Sequence, residues 1–189
     1  LADVVFSIEA AEPVKGRRCG VFGLGPMGLL HVEALRHAGA TVIGIDPREV
    51  RRAAATQFGA HEVASPGSVG GLDCAFSVGG GPALASASEE ALKLLHSDGV
   101  LVLFASGPQN AALSIDLNRV HYRRQRIVGV VGFRRPDADG AIALLRAGAI
   151  DVDRLRHPKI PLSELGRGFA ETGTPGTFKF AVDLPGRGG

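Results

Sequence analysis

Residues 18–46, RCGVFGLGPMGLLHVEALRHAGATVIGID, leave a chain few ways to fold. Cys19–Phe22 is a short apolar run that reads as a buried strand. Gly23-Leu24-Gly25-Pro26-Met27-Gly28 turns the chain, and residues 26–38 continue with helical spacing until Gly39 stops them. A second apolar run, Thr41–Ile45, ends on an acid, Asp46. Strand, glycine-rich turn, helix, strand and acid together make the pattern of a dinucleotide-binding βαβ unit.

Each position has a physical task. Gly23 permits the tight turn out of the strand. Gly25 lacks a side chain, so a pyrophosphate can approach the backbone, and Gly28 lets the helix lie close on the strand. Pro26 suits a first helical turn, where a missing N–H costs little. The unpaired N–H groups there favour an anion, helped by the helix dipole. Asp46 stands where a carboxylate accepts hydrogen bonds from an adenosine ribose.

The remaining runs extend the same plan. Residues 1–15 carry Val4, Val5, Ile8 and Ala11 at helical spacing and form a lead-in helix ending in a turn at Pro13–Gly16. Pro47 opens a helix over Arg48–Phe58, and His61–Ala64 is a third strand. Ser65–Gly71 is a loop, Leu72–Val78 a fourth strand, and Pro82 begins a helix to about His96 that Ser97-Asp98-Gly99 ends. Val100–Ala105 is apolar at almost every position, as a parallel strand covered on both faces should be. A short helix over Leu117–Arg123 and a strand over Arg126–Val131 follow. Six strands joined mainly by helices predict an α/β doubly wound Rossmann sheet, parallel and six-stranded, in the order 3-2-1-4-5-6.

Beyond that the alternation stops. Asp137–Ala147 reads as a helix with Ile142, Leu144 and Leu145 inward. His157–Leu162 is extended, Ser163–Glu171 a short helix capped by Ser163, and Thr177–Leu184 a last strand. The expected organisation is a lead-in helix at 1–15, a nucleotide-binding domain at 16–134, and a C-terminal segment at 135–189 that packs on it and belongs partly to another domain.

Composition narrows the function classes. With 45% hydrophobic residues, 5% aromatics and no Trp, the core must be built from Ala, Val, Leu and Ile. A net charge of +2 gives no drive toward nucleic acid, even though 119–126 is locally basic. No apolar run approaches the ~18–20 residues of a membrane span. Cys19 and Cys74 both lie in apolar runs and read as buried thiols that need no oxidising compartment, which points to the cytoplasm. No two of the six histidines share a face with another ligand, so no metal site is expected. Glu89 and Glu90, adjacent on a helix, read as solvated. Ser77 and Ser106 lack a Gly-x-Ser-x-Gly setting, which argues against a hydrolase.

Taken together, GLGPMGLL at 23–30, GATVIGID at 39–46, FSVGG at 76–80, GVLVLFASGP at 99–108, RIVGVVG at 126–132, the run 144–165 and FKFAV at 178–182 resemble the zinc-dependent alcohol dehydrogenases of the medium-chain dehydrogenase/reductase family, especially its sorbitol and threonine dehydrogenase branch. The resemblance spans residues 1 to about 184. It implies a catalytic domain, preceding the nucleotide domain and returning after it, that holds zinc. Two isolated cysteines cannot supply that zinc site, and the chain begins with Leu1, so it reads as the cofactor-binding part of a longer enzyme.

The resemblance also implies roles for single residues. Gly25, Pro26 and Met27 lie under the pyrophosphate, with Gly23 and Gly28 shaping the turn, and Asp46 meets the adenosine ribose. Arg51 stands beside the adenosine and Val78 and Gly79 touch the adenine. Backbone groups of Phe104, Ala105 and Val130 hold the nicotinamide carboxamide, and Lys179 reaches a phosphate. Asp46 would repel a 2′-phosphate, which favours NAD over NADP, although Arg48, Arg51 and Arg52 lie close by. No catalytic acid or base is assigned. The expected partners are a nicotinamide dinucleotide, a small alcohol or carbonyl substrate in the full-length protein, and a second copy of the chain contacting Ser106–Gly132. Two other readings stay open: a non-catalytic dinucleotide-binding module, and a zinc-free reductase of the same superfamily.

Overall fold

A strand such as Val100–Leu103, apolar throughout, must be covered on both faces, and the computed structural model shows how this is done. It describes residues 1–155, 159–171 and 180–184. Six strands form one parallel sheet: β1 (Arg18–Phe22), β2 (Thr41–Ile45), β3 (Glu62–Ala64), β4 (Leu72–Ser77), β5 (Leu95–Leu103) and β6 (Arg126–Gly129). Their order is β3-β2-β1-β4-β5-β6, as the alternation predicts. Helices α1 (Ala2–Ala11), α2 (Pro26–His37), α3 (Glu49–Gln57), α4 (Leu84–Leu94), α5 (Leu117–Arg123) and α6 (Arg135–Arg146) accompany it. The chain reverses its winding between β1 and β4, so the switch point lies at the carboxyl ends of those two strands. Phe22, Ile43, Ile45, Leu72, Leu92, Leu95 and Leu101 meet in the core. Burying a side chain of this size contributes about 1.5–3 kcal/mol.

Several local expectations change. The fourth helix ends at Leu94, and Leu95 already belongs to β5. Leu95 pairs with Leu72 and the next pair is Val100 with Cys74, so the expected turn at 97–99 becomes an irregularity inside the strand. Asp98 takes a left-handed conformation there (φ 62°) and is held by the Arg124 guanidinium at 2.6 Å. At the other end, β5 stops at Leu103 and β6 at Gly129, short of the expected Ala105 and Val131.

The outer helices are rotated relative to the apolar pattern. On α1 the buried positions are Val4, Ser7, Ile8 and Ala11, with Ser7 taking the place expected for Val5. On α6, Asp137 and Ala141 are buried while Ile142 and Leu145 are exposed. Arg134 explains this rotation. Its backbone N–H and guanidinium bond Asp137, the guanidinium also meets Glu9 of α1, and it stacks over Phe6 at 4.7 Å. These contacts turn the Asp137 face of α6 toward α1 at the expense of the leucine face.

The chain divides into two compact units, Leu1–Ile150 and Asp151–Gly189. In the second, a 3-10 turn at Val152–Leu155 precedes β7 (Ile160–Pro161), which pairs in parallel with β8 (Val182–Asp183). A 3-10 turn, Leu162–Glu164, runs into α7 (Leu165–Glu171), so Ser163 lies within a helical turn and does not cap one. The expected strand at 177–184 is described only from residue 180, and Lys179 lies outside the described residues.

Candidate cofactor site at the carboxyl ends of β1, β2 and β4

Three glycines bring the strand ends together. Gly23 has φ +96°, and its N–H donates to Ile45 at 2.8 Å. A Cβ on Gly23 would lie 2.4 Å from the Gly79 nitrogen, and one on Gly28 would lie 1.9 Å from the Gly23 carbonyl oxygen. Val78 and Gly79 both donate to the Phe22 carbonyl at 2.9 Å, which holds the end of β4 against the end of β1. Gly25 differs: the nearest atom to its missing Cβ is an Arg51 guanidinium nitrogen at 4.0 Å. The space beside Gly25 is open.

α2 starts beside this opening without a side-chain cap. Pro26 brings no N–H, and the first intrahelical bond comes from Leu29 to Gly25 at 2.9 Å. The Met27 and Gly28 N–H groups therefore stand at the positive end of the helix dipole, a setting suited to phosphate.

Asp46 is buried and bonds the backbone through both carboxylate oxygens. Oδ2 accepts the Leu24 N–H at 2.9 Å and Oδ1 accepts the Arg48 N–H at 2.9 Å. The Arg51 guanidinium lies 3.5 Å from Oδ2, and Arg52 donates to the Asp46 carbonyl at 2.7 Å. Each carboxylate oxygen has further lone-pair capacity, so Asp46 ties the glycine turn to β2 and can still accept from a ribose hydroxyl. Gly23, Asp46, Arg51 and Gly79 share one cleft of about 200 Å³, with apolar walls from Phe22, Ile45 and Pro66. Val78 is buried at the end of β4.

A second cavity, of about 340 Å³, is lined by Phe104, Ala105 and Val130 together with Asp3 of α1. The Phe104 and Ala105 N–H groups donate to Ser77 at 3.1 Å, and Val130 donates to Leu103 at 3.1 Å. At these three residues the carbonyl oxygens are the backbone groups left free to accept a hydrogen bond.

Sequence reasoning missed two polar groups here. His31 is fully buried, packs edge-on against Phe104 at 4.6 Å, and bridges α2 to α1. Met27's carbonyl, 2.7 Å from Nδ1, can only accept, so Nδ1 carries the proton and Nε2 meets the Ser7 hydroxyl at 2.8 Å. Burial pushes the imidazole down to about 4 from its ordinary 6.5. The second is Glu90. It is half-buried, it lines the first cleft, and it accepts the Gly67 N–H at 2.6 Å. Glu89, likewise expected to be solvated, accepts the Ser114 N–H at 2.8 Å. A stripe at 83, 87 and 90 on the fourth helix would have been the only sequence signal for Glu90. Among the described residues no group of three or more His, Cys, Asp or Glu could hold a metal, and no helix is long and apolar enough to cross a membrane.

A parallel sheet in this order, with a glycine turn at its switch point and an acid ending β2, defines a Rossmann-type nucleotide-binding fold. A model of the zinc-binding dehydrogenases matches residues 26–147, and the chain belongs to that family. It is 25% identical over 177 residues to (R,R)-butanediol dehydrogenase of Bacillus subtilis, covering 87% of this chain and 49% of that protein. Alcohol dehydrogenase 1 of Hordeum vulgare is 27% identical over 180 residues, covering 86% and 47%. Among solved structures, 2R,3R-butanediol dehydrogenase of Bacillus subtilis superimposes with a TM-score of 0.83 at 25% identity, covering 97% of this chain and 55% of that one. A Sinorhizobium meliloti structure assigned as a zinc-binding dehydrogenase, bound to NADP, gives 0.85 at 24% identity, covering 97% and 57%. The chain spans about half the length of the curated relatives it matches.

Proposed function

We propose that this chain is the cofactor-binding portion of an NAD-dependent, zinc-dependent alcohol or polyol dehydrogenase. The observation that carries the reading is the open cradle at Gly25. It sits between the uncapped start of α2 and a buried Asp46 that fastens the turn. The chain would hold the pyrophosphate on the Met27 and Gly28 N–H groups and the adenosine ribose on Asp46. Arg51, Val78 and Gly79 would flank the adenosine, and Lys179 would meet a phosphate. The carboxamide NH2 would donate to carbonyls at Phe104, Ala105 or Val130, whose own N–H groups are used internally. When bound, the nicotinamide supplies the hydride acceptor for an alcohol carbon, while these residues orient it and keep it in place.

NAD is preferred over NADP because Asp46 sets a carboxylate where a 2′-phosphate would lie. The described residues offer no fitting zinc ligand set, and the zinc would be held by residues of the catalytic half. Residues 16–134 are assigned to nucleotide binding and the region from 135 onward partly to the catalytic half. β6 is an edge strand, and next to it Val131 is 94% and Phe133 55% exposed. This supports a homodimer formed along that edge, which sedimentation of Val131→Asp against the parent protein would test. Free thiols at Cys19 and Cys74 suit the cytoplasm.

Titration calorimetry with NAD and NADP tests the cofactor reading. Saturable binding that is tighter for NAD is expected. Absence of binding to either would overturn the reading, and equal affinities would remove the NAD preference.

A further inference from the structure

We propose that Glu90 reads the 6-amino group of adenine, so that the cleft at the end of β2 selects adenine over 6-oxopurines. The inference rests on the cofactor reading above and concerns which base that cofactor must carry.

The cleft is two-sided in character. Phe22, Ile45, Pro66, Ala83 and Ala87 give it apolar walls, which suit the faces of a flat ring. Asp46, Arg48 and Arg51 gather where β2 runs into α3, the region suited to ribose and phosphate. Glu90 is the remaining charged group of the lining, and it comes from a different element, α4. Ala83, Ala87 and Glu90 follow one another at helical spacing, so two small residues leave room against the helix and the third closes that stripe with a carboxylate.

The carboxylate is also held in place. Its Oε1 accepts the Gly67 N–H at 2.6 Å, which ties the loop after β3 to α4 and restricts the side chain. The second oxygen has no hydrogen-bond partner among the described residues. An ionised carboxylate can only accept. A purine edge that donates at position 6, as adenine does, satisfies it. Hypoxanthine and guanine carry an oxygen there, and lone pair would face lone pair. A site built around one such hydrogen bond disfavours an analogue that cannot make it, because the bound base covers the half-buried carboxylate and leaves it unpaired.

The test compares NAD with nicotinamide hypoxanthine dinucleotide by calorimetric titration of the full chain. The two differ at position 6 of the purine and in the proton that hypoxanthine carries on N1, and they share ribose, pyrophosphate and nicotinamide, so their ratio isolates the base. The parent protein should bind NAD about tenfold more tightly. Glu90→Gln keeps an oxygen for Gly67 and presents an NH2 to the ligand, so the preference should vanish or reverse, chiefly through a gain for the hypoxanthine form. Equal affinity of the parent for both dinucleotides overturns the proposal, as does an unchanged ratio in Glu90→Gln. Failure to bind either dinucleotide would instead overturn the cofactor reading, and the base assignment with it.

Discussion

Leu24 donates its backbone N–H to Asp46 Oδ2 at 2.9 Å, joining the turn after β1 to the end of β2. The carboxylate therefore shapes the loop before any ligand arrives. Asp46→Ala leaves the buried Leu24 N–H without its acceptor, at a cost of about 1–3 kcal/mol. Urea unfolding should show that loss, and Asp46→Asn, which keeps an acceptor oxygen, should show less. The same Asp46→Ala change should weaken NAD binding far more than NADP binding, because only NAD gains from a carboxylate at the ribose.

Gly28 and Gly25 stand three residues apart and should respond to alanine in opposite ways. A Cβ at Gly28 would lie 1.9 Å from the Gly23 carbonyl, a backbone atom that cannot swing aside. Gly28→Ala should cost about 3 kcal/mol or more by thermal unfolding, beyond ordinary overpacking. Gly25→Ala has room, with nothing nearer than 4.0 Å. It should fold like the parent and lose dinucleotide binding in calorimetry, since the methyl fills the space left for the phosphates.

His31 should give stability a pH signature. Burial lowers its folded pKa to about 4 from 6.5, so between these values the unfolded chain binds a proton that the folded chain refuses. Stability is then full above pH 6.5 and falls as pH drops toward 4, by an amount of the order of 3 kcal/mol. Denaturant unfolding across that window should show the slope. His31→Gln should flatten it, whatever its effect at neutral pH.

Phe76 lies fully buried in β4 with its ring 5.7 Å from the His31 ring. Phe76→Ala should cost about 3–5 kcal/mol, from lost transfer energy and the cavity left behind. A midpoint shift in urea below that range would mean that the site collapses to fill the space.

Much of the architecture could be read from the residues because it rests on local rules. Gly23, Gly25, Gly28 and Asp46 announce a turn of one shape, and the apolar runs around them fall on the observed strands to within a residue or two at most ends. Leu117–Arg123 was readable in the same way, with the Asp116 carboxylate accepting the Arg119 N–H at 3.1 Å to start the helix. The exceptions share a cause. Leu95 looks like the end of a helix by its spacing, yet pairing with Leu72 makes it the start of β5. Ile142 and Leu145 look inward by pattern, yet the grip of Arg134 on Asp137 and Glu9 turns them outward.

By itself, then, the sequence determined where the chain can turn, which runs must be covered on both faces, and where glycines leave the backbone bare. Those are properties of neighbouring residues and of side-chain size. Only the tertiary structure decided which polar groups meet: Ser7 with His31, Glu90 with Gly67, Asp46 with Leu24. Each pair is separated by a turn or a crossover. Its closeness depends on how helices rotate and how strand ends converge, which the spacing of residues along one element does not record.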